Sequence, residues 1–280
     1  MTADTMENKI IPSLWFEKNA DEALRFYASV FPDSGIIQET PMVVTAKLAG
    51  VQFIGINGGP AEFTPNPSIS FMVTCETREE IDAIWEQLEE NGKVYMALDS
   101  YPWSSYYGWI GDKYGFTWQL YLGKLADVHN QRIVPTLMFS DIQQGKCEEA
   151  VEFYQSVFGD FKSDGIMRYE EGDFKGQVVH TQFSLNDFLL SAMDSGVVQD
   201  FTFNEAVSFT LLCKNQQEID HYWNAFTIDG REVECGWCQD PYGVFWQVVP
   251  SHINELLGTE KAFSALMKMK KIVIEDLKNA

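Results

Sequence analysis

Apolar positions along the chain change period in a set order, and that order occurs twice. The run IPSLWF at Ile11 to Phe16 has strand length, and the next stretch places Ala23, Phe26, Tyr27 and Val30 at the spacing of an amphipathic helix. Strand-like alternation follows in VVTAKLAGVQFIGI, Val43 to Ile56, which predicts the hairpin of a second and third strand. After a further strand from Ser70, a second helix is predicted over Glu79 to Asn91. A last strand follows the D-x-Y-G turn at Asp112 to Gly115, where glycine supplies the positive φ such turns often need.

The same patterns return further along. VPTLMF (Val134 to Phe139) stands where IPSLWF stood, and CEEAVEFYQSVF (Cys147 to Phe158) shares with ADEALRFYASVF (Ala20 to Phe31) its Glu-Ala, Phe-Tyr and Ser-Val-Phe. VVHTQFSLNDFLLS (Val178 to Ser191) alternates like the first hairpin. SFTLLCKNQQEIDHYW (Ser208 to Trp223) matches SFMVTCETREEIDAIW (Ser70 to Trp85), and WCQDPYGVFWQV (Trp237 to Val248) matches WIGDKYGFTWQL (Trp109 to Leu120). Chance likeness between apolar runs would not keep the blocks in order, so the chain reads as a tandem duplication. The predicted organisation is a first βαβββ module over 1–122, a polar linker GKLADVHNQ over 123–131, a second βαβββ module over 132–250, and a helical tail over 251–280.

Composition narrows the classes. The chain has 280 residues, room for about two modules of ordinary size, and 45% hydrophobic residues with which to bury a core. Its 41 acidic against 20 basic residues give a formal charge of -21, which repels nucleic acid and anionic membrane surfaces. No apolar run reaches the roughly 20 residues of a membrane span, and no leader pattern opens the sequence, so a cytoplasmic protein is expected. The five cysteines are an odd number and do not suggest a secreted disulfide framework. Cys235 and Cys238 have C-x-x-C spacing but read as strand, where three residues separate Cα atoms by roughly 10 Å, beyond the roughly 7 Å a disulfide spans.

Several motifs together carry a resemblance. They are I-x-P-x-L-W-F at Ile10 to Phe16, A-x-E-A-x-x-F-Y around Tyr27 and its counterpart around Tyr154, N-G-G-P at Asn57 to Pro60, F-N-E-A-x-S-F at Phe203 to Phe209, D-x-Y-G-x-x-W-Q in both copies, and KIVIEDL at Lys271 to Leu277. The chain resembles the PhnB-like, or 3-demethylubiquinone-9 3-methyltransferase-like, branch of the vicinal-oxygen-chelate (glyoxalase/bleomycin-resistance) superfamily. The resemblance implies an α+β fold in which two βαβββ modules pair into a cup-shaped, mixed eight-stranded sheet with helices outside and a ligand in the cup. It also implies that active members hold a divalent metal through His, Glu or Gln of the first and last strands. Here the first strands offer Ser13 and Thr136 and no histidine, and the last strands offer Gln119 and Gln247. No metal site is therefore expected.

Strand alternation proposes what faces the cup. If Leu14 and Phe16 face the helices, Ser13 and Trp15 face the ligand, with Thr136 and Met138 as their counterparts. If Phe183 is core, His180 and Gln182 face the cup beside Thr45 and Lys47. Gln119 and Gln247 join them if Trp118 and Trp246 are core. His180 is the candidate acid or base, since an ordinary imidazole titrates near neutral pH. Tyr101 and Trp103 belong to an aromatic stretch absent from the second copy, which reads either as a loop lidding the cup or as an aromatic patch packing the modules together.

The methyltransferase label finds no support in the residues. A nucleotide-type cofactor wants a Gly-rich turn between strand and helix, whereas Gly58-Gly59 is followed by Pro60 and another strand. The sequence favours a protein that binds a small apolar or aromatic molecule, with no cofactor expected and a divalent metal at most weakly held. The alternatives are a metal-assisted or His180-based lyase, isomerase or dioxygenase, and a non-catalytic interaction module. A monomer or homodimer is expected, with neither nucleic acid nor membrane as partner.

Overall fold

The computed structural model describes residues 9–280, so residues 1–8 of the predicted first module lie outside the described residues. The first copy runs β1 (Ile10–Phe16), α1 (Ala20–Val30), β2 (Gly35–Glu39), β3 (Val43–Leu48) and β4 (Val51–Asn57). It continues with β5 (Ile69–Cys75), α2 (Arg78–Glu89), β6 (Lys93–Tyr101), β7 (Ser104–Gly111) and β8 (Thr117–Leu122). The second copy runs β9 (Ile133–Phe139), α3 (Cys147–Val157), β10 (Phe161–Arg168), β11 (Val178–Leu185) and β12 (Phe188–Asp194), then β13 (Val207–Cys213), α4 (Gln216–Thr227), β14 (Arg231–Glu232), β15 (Trp237–Gln239) and β16 (Phe245–Pro250). The tail holds α5 (Ile253–Leu256), α6 (Glu260–Leu266) and α7 (Ile274–Lys278).

Each copy thus contains the βαβββ unit twice, and the mixed eight-stranded sheet is present twice. One sheet has the order β14-β15-β16-β13-β1-β4-β3-β2 and the other β10-β11-β12-β9-β5-β8-β7-β6. The chain divides into two compact units, Pro12–Val207 and Ser208–Ala280 with the opening residues up to Ile11. The division does not follow the repeat. It passes through β1 and β13.

In the larger unit the two copies are joined strand to strand. β5 pairs antiparallel with β9, Ser70 standing opposite Thr136. Two asparagines fasten the loops leading into the next unit of each copy: Asn66 Nδ2 donates to the Thr202 carbonyl and Asn204 Nδ2 to the Thr64 carbonyl, both at 2.9 Å. Each asparagine also caps its own turn, Asn66 accepting from Ser68 N–H and Asn204 from Ala206 N–H. Helix starts follow the same economy. Thr77 and Asn215 accept from the N–H groups of Glu80 and Glu218, whose carboxylates reach back to the N–H groups of Glu76 and Lys214.

The centre of the larger unit is the Asp112 carboxylate. Its Oδ2 accepts from the Tyr27 hydroxyl at 2.6 Å and the Trp118 indole N–H at 2.8 Å, and its Oδ1 accepts from the N–H groups of Tyr114 and Phe116. Burial pushes this carboxyl up from its ordinary pKa, while the four donors favour the ionised form. Gly115, at φ +89°, lets the turn fold back so that both amides reach the carboxylate. Tyr27 comes from α1, which buries Ala20, Ala23, Leu24, Tyr27 and Val30 as its amphipathic spacing predicts. In the smaller unit Asp240 repeats the turn, accepting from Trp246 Nε1 at 2.9 Å and from the N–H groups of Tyr242 and Val244.

The tail closes on the smaller unit through backbone bonds. Cys235 N–H and Gly236 N–H donate to the carbonyls of Met269 and Lys270, and Gln216 brackets Ile272 and Ile274 with its side-chain amide. This corrects the strand reading of C-x-x-C: Cys235 and Gly236 are both at positive φ in a turn, and strand begins only at Trp237. None of the five cysteines is in a disulfide. Among the described residues no helix is long and apolar enough to cross a membrane.

Removing one donor from a buried carboxylate costs about 1.5–3 kcal/mol. Tyr27→Phe is therefore expected to lower the urea midpoint accordingly. Asp112→Ala should cost more, because it strands both the Tyr27 hydroxyl and the Trp118 indole. An unchanged midpoint in Tyr27→Phe would show that the Tyr27–Asp112 bond does not stabilise the fold.

Candidate functional site

The helices fix which face of the second sheet is available. Trp118 packs against Tyr27 and Phe31, with ring centroids 5.1 and 4.8 Å away, and Phe183 stacks on Tyr154. The residues flanking Trp118 and Phe183 in their strands therefore point to the opposite face. On it, strand pairing lines up Gln182, Ser191, Thr136, Ser70 and Thr117 in one row across β11, β12, β9, β5 and β8. The four hydroxyl residues of this row are between 0 and 4% exposed. They form a floor of small polar side chains.

Larger side chains stand on either side of that floor. On one side lie Met72, Gln119 and Trp109, paired across β5, β8 and β7, followed by Thr74, Tyr121 and Tyr107. On the other side lie Met138, Met193 and His180. Met72, Gln119, Trp109, Tyr121, Met193 and His180 are each partly exposed, so the walls reach solvent while the floor does not. Gly111 stands opposite Thr117 at the end of the row; a Cβ there would lie 3.1 Å from the Tyr95 ring, which instead stacks on Trp109 at 4.9 Å.

Hydrogen bonding across this face is incomplete. Gln119 is fully engaged, its Oε1 accepting from the Tyr107 hydroxyl at 2.7 Å and its Nε2 donating to Ser70 Oγ at 2.6 Å. Burial holds the Tyr107 phenol well above its ordinary pKa, so it remains a donor. By contrast, among the described residues Thr202 Oγ1 in the loop before β13 and, on these strands, Thr74 Oγ1, Trp109 Nε1, Thr117 Oγ1 and Ser191 Oγ are buried and have no hydrogen-bond partner. The four on these strands belong to the same face.

His180 makes no hydrogen bond to another described residue, and burial lowers its pKa, so the ring is neutral at pH 7. Gln182 is tied to the edge of the sheet, donating to Asp164 Oδ2 at 2.8 Å and the Asp127 carbonyl at 3.0 Å. Asp164 in turn pairs with His129 Nε2 at 3.1 Å.

The sequence-predicted residues are divided between the two sheets. Gln119, Thr136, Met138, His180 and Gln182 lie on the same face of the second sheet, as alternation proposed. Ser13, Trp15, Thr45 and Lys47 lie on β1 and β3 of the first sheet, where Ser13 and Thr45 both stand opposite Ile54. Gln247 lies on β16 in the smaller unit, donating to Ser208 Oγ at 3.0 Å. His180 thus belongs to the second sheet, whereas Trp15 and Thr45 belong to the first. The reason is the doubling of the βαβββ unit within each copy, which sends β1 and β3 to one sheet and β9 and β11 to the other.

Trp15 is also engaged by its own chain. Its indole donates to the Gly59 carbonyl at 3.0 Å and its ring meets Phe63 edge-on, while Gly58 lies so close beneath that a Cβ would sit 2.1 Å from the ring. The N-G-G-P segment is a shelf for this tryptophan.

Nor do Tyr101 and Trp103 form a lid loop. They end and turn the long β6–β7 hairpin, stacked on each other at 5.2 Å with Tyr107 edge-on to both. The residues sequence reasoning passed over are Ser70, Thr117, Ser191 and Trp109. The alternation that found Gln119 beside Trp118 also marks Thr117 on its other side. The row itself needed the pairing of strands far apart in sequence.

The donor set fits a divalent cation poorly. Among the described residues no three His, Cys, Asp or Glu side chains group as metal ligands. The floor offers neutral hydroxyls, the Gln119 amide beside it is held at both ends, and the Gln182 amide at its edge donates to Asp164 and the Asp127 carbonyl.

A family model described as 3-demethylubiquinone-9 3-methyltransferase matches residues 8–121 and again 131–249. No curated protein matches the chain. Among solved structures, a PhnB protein from Bacillus cereus is 38% identical over 40% of this chain and 98% of its own, with a TM-score of 0.39. A protein from Staphylococcus aureus is 28% identical over 41% of this chain and 97% of its own, with a TM-score of 0.20. Glyoxalase I from Zea mays is 12% identical over 88% of this chain and 92% of its own, with a TM-score of 0.55, a likeness of fold over both copies. With the family model matching each copy in turn, the chain belongs to the 3-demethylubiquinone-9 3-methyltransferase (PhnB) family, in tandem form.

Proposed function

We propose that the face of the second sheet opposite α2 and α3 binds a small organic molecule, without a firmly held metal. The observation that carries this reading is the set of four buried, unpartnered polar atoms on that one face. Leaving a buried polar group unpaired costs about 1–3 kcal/mol, and a mostly apolar surface with a few convergent polar groups is the usual form of a ligand site. Methionine and aromatic walls around a hydroxyl floor supply both. The neutral hydroxyls and the committed Gln119 amide support the metal-free part of the reading.

A second reading rests on His180. A neutral imidazole with no partner, on the same face as the floor, has the protonation state of a general base at pH 7. It would act on a ligand bound there, and no metal is needed for it to do so.

Dialysed protein is expected to carry less than one equivalent of transition metal, and chelation to leave its thermal unfolding unchanged, since a metal bound to the folded state would stabilise it by mass action. Ligand-observed NMR with a panel of uncharged aromatic fragments is expected to give binders that Ser191→Val and Thr117→Val weaken. Stoichiometric metal lost with stability on chelation, or fragments indifferent to both variants, would sink the proposal.

His180 gives a pH test of its placement. Its folded pKa lies below the ordinary 6.5, so its contribution to stability is present above pH 6.5 and is lost as pH falls through the folded value. Wild-type protein should lose more stability between pH 7.5 and 5.5 than His180→Gln. At pH 7.5 His180→Ala should cost less than the roughly 1–3 kcal/mol of stranding a buried partner. Urea midpoints at the two pH values read both, and a larger loss at pH 7.5 would make His180 a structural residue.

A further inference from the structure

Two residues along each strand from the hydroxyl floor, the same face carries a row of soft donor side chains. Met167 on β10 stands opposite His180 on β11. Met193 on β12 stands on the other side of His180, one residue beyond the Thr181–Ala192 pair, and Met138 on β9 stands opposite Met193. Directly opposed side chains on one face have Cβ atoms about 4.5–5.5 Å apart, within reach of long side chains. His180 is therefore flanked by two thioethers, with a third behind Met193.

Packing does not account for this row. Met167 is 64% exposed, and Met193 and His180 are partly exposed, so these three add little to a core. Among the described residues the His180 ring has no hydrogen-bond partner, which leaves the lone pair of its neutral imidazole uncommitted. Methionine is unbranched and flexible, so the flanking sulfurs can turn toward a common point above that ring.

The donors select the kind of ion. Thioethers favour soft ions such as Cu(I), imidazole also binds copper, and neither ligand carries charge. Hard dipositive ions want oxygen ligands, which the row lacks. The chain's formal charge of -21 favours the approach of any cation.

We infer that Met167, His180 and Met193 bind a soft monovalent cation of the Cu(I) or Ag(I) class, with Met138 as a further thioether. This goes beyond the organic-ligand reading and does not depend on the buried hydroxyls. Without an anionic ligand the ion is held reversibly, so protein dialysed in the absence of such an ion emerges without it.

Silver nitrate in chloride-free buffer tests the site on the full chain carrying Cys235→Ser, because Cys235 is the partly exposed cysteine and the other four are buried. One equivalent of Ag(I) should shift the methyl signals of Met167 and Met193 and the ring signals of His180, and leave the exposed Met42 unmoved. Zn(II) should shift none of them. Met167→Leu, Met193→Leu and His180→Phe should each weaken Ag(I) binding by about tenfold or more, since even groups that only orient a metal ligand are worth about 10–100-fold. Leucine keeps the volume and apolar character of methionine, so a side chain serving only as an apolar wall would not register the change. Fragments should bind Met167→Leu as they bind wild type, which makes the failure of the cation site and the failure of the organic-ligand reading separate results. Ag(I) shifts confined to cysteines or to other methionines, equal binding of Zn(II) at this row, or an Ag(I) affinity indifferent to all three variants would overturn the inference.

Discussion

A carboxylate taken out of water has to be surrounded by donors, and in the larger unit Asp112 meets that demand with groups from three places. A helix gives Tyr27, the following strand gives Trp118, and the turn itself gives two backbone amides. The bonds fix more than a turn. They hold the Trp118 indole on the helix side, and a strand cannot rotate one residue inward without sending its neighbours outward. Thr117 and Gln119 stand on the opposite face for that reason, and the whole hydroxyl row keeps register with them through β5 and β9. Should Asp112 lose its partners, the site would lose its orientation before losing any residue of its own.

This dependence explains what could be read from the sequence. The D-x-Y-G turn, the tryptophan after it and the helix carrying Tyr27 are local patterns, and all were legible because burial imposes a period on them. β2 and β10 were not. β10 is exposed along nearly its whole length, so no apolar alternation distinguishes it from a loop. The β6–β7 hairpin failed for another reason: its aromatic residues read as a patch, whereas they alternate irregularly across register shifts in an extended sheet. With those strands unseen, each copy was credited with one βαβββ unit and one shared sheet, although the family resemblance gave the type of fold correctly.

The candidate site divides along the same line. Which residues of a strand face away from the helices is a local question, and alternation answered it for Gln119, Thr136, Met138, His180 and Gln182. Which strands lie side by side is not local. Alternation marks Trp15 and His180 alike as facing away from the helices, and yet they belong to different sheets, because the chain leaves β4 for a new sheet and returns to the first only at β13. Nothing in the spacing of either residue records that crossover. The row from Ser191 to Thr117 joins residues that repeat alignment sets apart, so only the pairing makes it a row.

Among the described residues, four of the five buried polar atoms without a partner lie on this face of the second sheet, the fifth being Thr202 Oγ1. Gln119 shows that this face can satisfy a polar group when the fold requires it, with Tyr107 above and Ser70 beside it at short distances. Thr117, Ser191 and Trp109 are as well buried and have nothing. A core under selection for stability alone would replace such residues with apolar groups of the same shape, at little cost or at a gain. Sequences tend to depart from that rule where a function depends on the departure. The hydroxyls and the indole contribute no hydrogen bond to the fold among the described residues, whereas Asp112 gathers four donors on the opposite side of the same sheet.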